Sequence, residues 1–152
     1  MLNDKTIKKY LAALFLLPSL LLPSNSSVIR TEHGFIDYSN RLIVSRGTAS
    51  IVEKTTSQSA LNTIEKNLRL SKGEAKAKAR ENLLNLVMLV NFDGRTVGEI
   101  MIEDPLVESR VETLVGSAYQ QGEIEYLERK EVAIALALKM SGLAEILVDA
   151  SG

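Results

Sequence analysis

The sequence predicts an α+β domain with a small, mainly antiparallel sheet of three to four strands and helices packed on one face. Residues 41–53 and 131–140 have strand-like patterns, whereas residues 71–90 and 104–116 have helical periodicity. Together with a further short strand before residue 131, these segments follow the order β–α–α–β–β. That order is typical of helices packed against one face of an antiparallel sheet.

The first 26 residues have the three-part layout of a secretory signal peptide. Three lysines precede an apolar run from Leu11 to Pro23, and a short Ser-rich tail follows it. The run is shorter than the roughly 20 residues that span a bilayer, and Pro18 interrupts it. We therefore predict that residues 1–26 are removed on export; an uncleaved anchor and a buried helix are the alternatives.

The remaining chain is predicted to form one domain over residues 41–148, preceded by a linker over residues 27–40. The linker prediction rests on the lack of any sustained hydrophobic period. Residues 41–53 are predicted to be a strand, with Gly47 placed where a bulge would be tolerated.

The segment after this strand contains the main helix. Residues 54–70 are ambiguous, with a weak helical pattern at Leu61, Ile64 and Leu68. Ser71 and Glu74 have the spacing of a capping box, which predicts a helix that begins at Ser71. This helix would carry a core-facing row of small and apolar residues: Ala75, Ala79, Leu83, Leu86 and Val90. The opposite face has charges of both signs, which favours a packing helix over one that binds membranes or nucleic acid: Glu74, Lys78, Glu81 and Asn85.

The last third of the chain is predicted to contain a turn, a helix and a hairpin. Asp93 and Gly94 indicate the turn. Asp104 is suited to cap a helix over residues 104–116 that ends at Gly116. Two alternating runs then predict a β-hairpin whose second strand is buried and whose first strand, within residues 117–127, lies nearer the sheet edge. A final turn of helix is expected after the hairpin.

Composition excludes several classes of function. Outside the signal segment the chain has 15 basic residues (18 − 3) and 18 acidic residues (19 − 1), so a nucleic-acid partner is not expected. The absence of cysteine excludes thiolate metal sites, a cysteine nucleophile and a lipid anchor through Cys. The absence of tryptophan and the low aromatic content make base-stacking surfaces and aromatic ligand cages unexpected.

No pattern of residues indicates catalysis. His33 is the only histidine and is interpreted as a solvated linker residue. Glu99, Glu103, Asp104 and Glu108 match no calcium-loop spacing, and a solvated helix start accounts for the last two. The sequence therefore predicts a protein that is not an enzyme, with no catalytic residue, no cofactor site and no metal site.

Three short motifs follow one another between residues 71 and 145. They are the helical segment from Ala75 to Leu84, the turn from Asp93 to Val97 and the helix end from Val111 to Ala118. In this order they resemble the small Gram-negative envelope proteins of the LPP antigen-lipoprotein group, which includes the flagellar outer-membrane protein FlgP. The resemblance covers about half the chain and implies an envelope protein without catalysis, in a group where some members form rings or disks around the flagellar motor.

We therefore predict a non-catalytic, exported envelope protein with a structural or assembly role, including a flagellum- or outer-membrane-associated one. It is expected in the periplasm or at the outer membrane after signal-peptide cleavage, with envelope or outer-membrane proteins, or further copies of itself, as partners. The alternative is an extracytoplasmic small-ligand-binding or sensor module. A deep polar-lined cavity would favour the alternative, and an apolar patch or a free sheet edge would favour assembly.

Overall fold

A computed structural model describes residues 27–52, 60–128 and 130–151. The predicted signal peptide, residues 1–26, lies outside the described residues. The described chain forms eight strands and four helices. In chain order they are β1 (Val28–Thr31), β2 (Gly34–Asp37), β3 (Leu42–Ser50), α1 (Ala60–Met88), β4 (Asn91–Phe92), β5 (Arg95–Thr96), α2 (Val97–Glu103), α3 (Pro105–Gly116), β6 (Tyr119–Gln120), β7 (Glu125–Leu127), β8 (Glu131–Lys139) and α4 (Met140–Ser151).

The main sheet confirms the predicted α+β class but is larger than predicted. Strands β1, β2, β3 and β8 lie side by side in that order, and β6 and β7 both pair with the far side of β8. Every pairing is antiparallel. The described sheet therefore has six strands, in place of the three to four expected.

The prediction of a linker over residues 27–40 is wrong, because β1 and β2 form a hairpin that extends the sheet. Ile36 of β2 pairs with Ile43 of β3, and both side chains are fully buried. β1 and β2 each have only four residues, and a tight turn joins them. A run this short shows no sustained period, so the hairpin becomes recognisable only through its pairing with β3.

The hairpin predicted near the C-terminus is confirmed, and β8 is its buried strand. Alternate residues of β8, from Val132 to Leu138, point to the helices and are buried. The first strand of this hairpin is interrupted, because residues 122–124 leave the ladder between β6 and β7, with Gly122 at φ 74°. Residues 117–127 thus lie at the sheet edge, as predicted.

Helix α1 begins at Ala60, eleven residues before the predicted start at Ser71. Ser71 is not a cap: its hydroxyl donates to the Asn67 carbonyl (3.0 Å) one turn back in the helix and to the Ser50 carbonyl of β3 (2.9 Å). The serine that suggested a helix start therefore joins the middle of the helix to the sheet. The predicted core-facing row is confirmed, since its five members are each at most 4% exposed: Ala75, Ala79, Leu83, Leu86 and Val90.

Side-chain hydrogen bonds to backbone carbonyls join α1 to β3 and the residues just after it. Ser45 and Arg46 bond to α1 at residues 79 and 82, whereas Ser50 and Val52, later in the chain, bond to it at residues 71 and 67, so helix and strand run antiparallel. The bonds are Asn82 Nδ2 to Arg46 O (2.8 Å), Ser45 Oγ to Ala79 O (2.7 Å), Ser71 Oγ to Ser50 O (2.9 Å) and Asn67 Nδ2 to Val52 O (2.6 Å). They fix the position of the helix along the strand as well as its distance from it.

Gly47 allows this close approach. β3 pairs with β8 without interruption from Leu42 to Ser50, so the predicted bulge at Gly47 is absent. A Cβ at Gly47 would lie 2.2 Å from the Ala75 carbonyl oxygen and 2.3 Å from the Ala79 nitrogen. Glycine in the strand and alanine in the helix are therefore parts of one contact between two backbones.

The short helices are positioned by capping residues. Asp93 and Gly94 form the predicted turn between β4 and β5, with φ values of 50° and 81°. Asp104 caps α3 as predicted, accepting from the N–H groups of Leu106 (2.9 Å) and Val107 (3.3 Å). Helix α3 ends at Gly116, also as predicted.

Helix α2 has no counterpart among the predicted elements, and its own capping box explains where it begins. The Thr96 hydroxyl accepts from the Glu99 N–H (3.2 Å), and the Glu99 carboxylate accepts from the Thr96 N–H (2.7 Å). The Thr96 N–H and the Thr96 hydroxyl (3.0 Å) both donate to the Glu99 carboxylate and lower its pKa below the ordinary value, and the nearby charge of Arg95 adds a smaller effect in the same direction.

The core lies between one face of the sheet and the helices, as the prediction of helices on one face requires. A fully buried leucine, isoleucine or valine side chain contributes about 1.5–3 kcal/mol relative to exposure. Buried members of this core come from the sheet, from α1, from α3 and from α4, and include Ile36, Ile43, Val132, Leu136, Leu83, Val87, Val107, Val111, Leu143 and Leu147.

Gly47→Ala is predicted to destabilise the domain by about 1–3 kcal/mol, because the new methyl group forces α1 away from β3. Gly73→Ala is the matched control: its Cβ has no atom within 4 Å, and alanine is favoured over glycine inside a helix by about 0.5–1 kcal/mol. Urea unfolding of the purified domain measures both. A free energy of unfolding for Gly47→Ala equal to that of the wild type would contradict the close contact.

Glu99→Gln is predicted to flatten the acid limb of the stability curve. Because the folded pKa of Glu99 is lowered, its contribution to stability is present above the unfolded pKa and is lost as the pH falls through the folded pKa. Glutamine does not titrate, so the free energy of unfolding should depend less on pH below about pH 5. Glu81→Gln, on the exposed face of α1, is the control. Equal acid limbs for Glu99→Gln and the wild type would contradict the assignment.

Candidate interaction surface

Helix α1 has two halves with different surroundings. Residues 71–88 contain the core-facing row and pack on the sheet, whereas no residue from 61 to 70 is buried. Side-chain hydrogen bonds join α1 to β3 and to the residues just after it. The one nearest the start of the helix runs from Asn67 Nδ2 to the Val52 carbonyl. The helix therefore extends beyond the end of the strand on which it packs.

The extending half carries an apolar stripe, defined here as Leu61, Ile64 and Leu68. Leu61 is 83% exposed and Ile64 is 49% exposed, while Leu68 is half-buried. At 100° per residue, these three side chains lie on the same side of the helix as Ala75 and Ala79. The face that packs on the sheet thus continues past the sheet, where it carries these three apolar side chains together with the charged Glu65 and Lys72.

Basic side chains lie beside the apolar stripe on the same helix. They are Lys66, Arg69 and Lys72, with one acidic residue, Glu65, among them. Lys72 Nζ lies 5.8 Å from the centre of the Tyr126 ring, whereas Lys66 and Arg69 form no ion pair within the described residues. Lys66 and Arg69 are therefore placed to face carboxylates of a partner.

The helix-free face of the sheet has a different character. Ala133 and Ala135 on β8 leave room for Arg46 of β3 to reach across to Glu125 of β7, with 2.6 Å between Nη2 and Oε2. Side chains of opposite charge thus lie across the middle of this face. The face is mixed in character, because Arg46 and Glu125 are exposed whereas Val44, Ala133 and Ala137 are buried.

The structure places most of the residues considered for chemistry from the sequence at turns, helix caps and ion pairs. His33 lies in the turn between β1 and β2 rather than in a linker, half-exposed, with Nε2 3.0 Å from the Glu32 carboxylate. In the acidic segment, Glu99 caps α2, Asp104 caps α3 and Glu103 lies 2.8 Å from Arg95. Among the described residues no group of three or more His, Cys, Asp or Glu is placed to hold a metal ion.

The apolar stripe was visible in the sequence as the weak pattern within residues 54–70, but its exposure was not. The pattern records only that the three side chains share a helix face. Whether that face is covered depends on where β3 ends relative to α1. Only the antiparallel placement of the two elements decides this.

Within the part of the chain that the structure describes, no helix has the length and apolar character needed to cross a bilayer. Comparison of the chain with protein families, with curated proteins and with solved structures found no match.

Proposed function

We propose that this protein is an exported, non-catalytic component of the cell envelope that works by binding other proteins, further copies of itself included. The observation that carries the proposal is the apolar stripe on α1, because apolar side chains at helical spacing are a common means of docking one protein on another. The signal-peptide layout of residues 1–26 and the resemblance to the LPP antigen-lipoprotein group support the envelope location.

The chemistry around the stripe indicates what kind of partner it fits. A partner segment with a few apolar side chains would cover Leu61 and Ile64, and carboxylates beside them would face Lys66 and Arg69. Burying two exposed aliphatic side chains contributes up to about 1.5–3 kcal/mol each, enough to make the stripe the centre of a small interface.

The edge formed by β6 and β7 is a second surface for assembly. It is short and interrupted, which limits strand addition along its full length. Glu123 and Glu125 are exposed on this edge. Reversing the charge of these two residues changes the edge without touching the core. Because the change also breaks the ion pair between Glu125 and Arg46, Arg46→Ala is the control for that loss.

Leu61→Glu combined with Ile64→Glu is predicted to weaken association by at least tenfold, because two carboxylates would replace the apolar centre of the contact. Association is measured by cross-linking in envelope fractions and by sedimentation of the purified protein. The matched control is Leu70→Glu, which places the same charge on an exposed leucine (59%) on the opposite side of the same helix.

Both sets of variants are expected to remain folded, with free energies of unfolding within about 0.5 kcal/mol of the wild type per substitution, because the replaced side chains are exposed. If the wild type remains monomeric at high concentration and cross-links to no envelope protein, the proposal is wrong. Equal losses from the stripe variant and the Leu70 control would show that the stripe is not the contact.

Export predicts a mature protein that begins near Ser27. Ser27 precedes β1 and its carbonyl accepts from the Tyr38 N–H (2.7 Å), so a cut before Ser27 leaves every described strand intact. Intact-mass measurement on protein from envelope fractions gives the N-terminus directly. A mass equal to the full 152-residue chain would instead show a retained anchor.

A further inference from the structure

A small cleft lies at the opposite end of β3 from the apolar stripe. The turn between β2 and β3, strand β4 and the first turns of α4 surround it, and its volume is about 270 Å³. β3 runs from Leu42 beside this cleft to Ser50 near the stripe, a distance of about 25 Å. The two features are therefore separate surfaces.

The inner wall of the cleft is apolar and built into the fold. Leu143 and Leu147 of α4 line it and are each only 2% exposed, and the half-buried Phe92 of β4 lies on another side. Because these side chains belong to or pack against the core, the shape of the cleft does not depend on a ligand.

The rim of the cleft presents donors without partners. The exposed Arg41 guanidinium forms no ion pair within the described residues, and the Tyr38 hydroxyl forms no hydrogen bond within them. The nearest acidic residue in sequence, Asp37, is already occupied: its carboxylate accepts from the Asn40 N–H (3.0 Å) and from Asn40 Nδ2 (2.8 Å). A positive charge and a hydroxyl donor thus face solvent beside an apolar wall.

Backbone hydrogen bonds hold this rim in place. The Arg41 carbonyl accepts from the Met140 N–H at the start of α4 (2.9 Å), and the Tyr38 N–H donates to the Ser27 carbonyl (2.7 Å). Arg41 has φ 51°, a left-handed conformation that glycine adopts without cost and arginine does not. Glycine at this position would suit the turn better, so the arginine side chain is not needed for the fold.

We propose that this cleft binds a small amphiphile with a single carboxylate. The apolar body lies against Phe92 and Leu143, and the carboxylate accepts hydrogen bonds from the Arg41 guanidinium, whose planar donors fit a carboxylate in bidentate geometry. The single unpaired cation on the rim favours one negative charge over the two of a phosphate monoester. The volume, slightly below the roughly 300–1,000 Å³ usual for ligand sites, favours a short chain.

Sodium octanoate, titrated below its micelle concentration into the folded protein, is the probe, and methyl NMR shifts are the readout. Saturable shifts are expected at Leu143, Leu147 and Ala144, with octanol binding more weakly because it lacks the charge. Arg41→Gly should weaken octanoate binding about tenfold while leaving the melting temperature unchanged or higher. Lys76→Ala, which removes an exposed charge from α1, should leave binding unchanged.

A second variant tests the apolar wall without touching the core. Ala144 is exposed and lines the cleft, so Ala144→Phe should fill the space and abolish octanoate binding. Absence of saturable shifts in the wild type, or shifts that neither Arg41→Gly nor Ala144→Phe changes, would overturn the proposal. Arg41-dependent cosedimentation with phosphatidylglycerol vesicles, without octanoate binding, would assign the cleft to a membrane surface and would also overturn it.

Discussion

The close contact of α1 with β3 is the constraint on which the other features of this domain depend. Gly47 removes the side chain that would otherwise separate the two backbones, and Ala75 and Ala79 do the same from the helix. Side-chain hydrogen bonds from Ser45, Asn67, Ser71 and Asn82 then fix the helix lengthwise. Even a methyl group at Gly47 would overlap the backbone of α1, so this contact can be made only with small residues at these positions.

This contact determines where the helix leaves the sheet. The helix–strand hydrogen bonds end at Asn67 and Val52, whereas the helix begins at Ala60. The face that is buried from Ala75 onward is therefore exposed at Leu61 and Ile64, although the helical periodicity is the same. An exposed apolar stripe beside Lys66 and Arg69, which form no ion pair among the described residues, is the feature that supports the assembly proposal.

The same architecture separates surfaces with different chemistry. The helix-free face of the sheet is crossed by the Arg46–Glu125 pair, which the alanines of β8 make room for. The cleft near Arg41 lies at the other end of β3 from the stripe and combines an apolar wall with a free cation. A partner protein on the stripe and a small amphiphile in the cleft would therefore not compete for the same residues.

The sequence by itself determined those features whose cause is local. The core-facing row from Ala75 to Val90, the Asp93–Gly94 turn, the Asp104 cap and the buried strand β8 each depend on periodicity or on a hydrogen bond between near neighbours, and each was predicted. Thr96 and Glu99 form a capping box of the same kind, so the start of α2 was also readable from the sequence. Ser71 and Glu74 have the same spacing, but Ser71 lies inside α1 and caps no helix start.

The tertiary structure decided what depends on distant partners. Ser71 lies mid-helix because its hydroxyl reaches Ser50, and Gly47 is glycine because a helix passes over it; neither contact leaves a signal in its own segment. The β1–β2 hairpin is likewise too short to show a period and is held by pairing with β3. The exposure of Leu61 and the grouping of Tyr38 and Arg41 with α4 follow from where separate elements end in space, which no local pattern records.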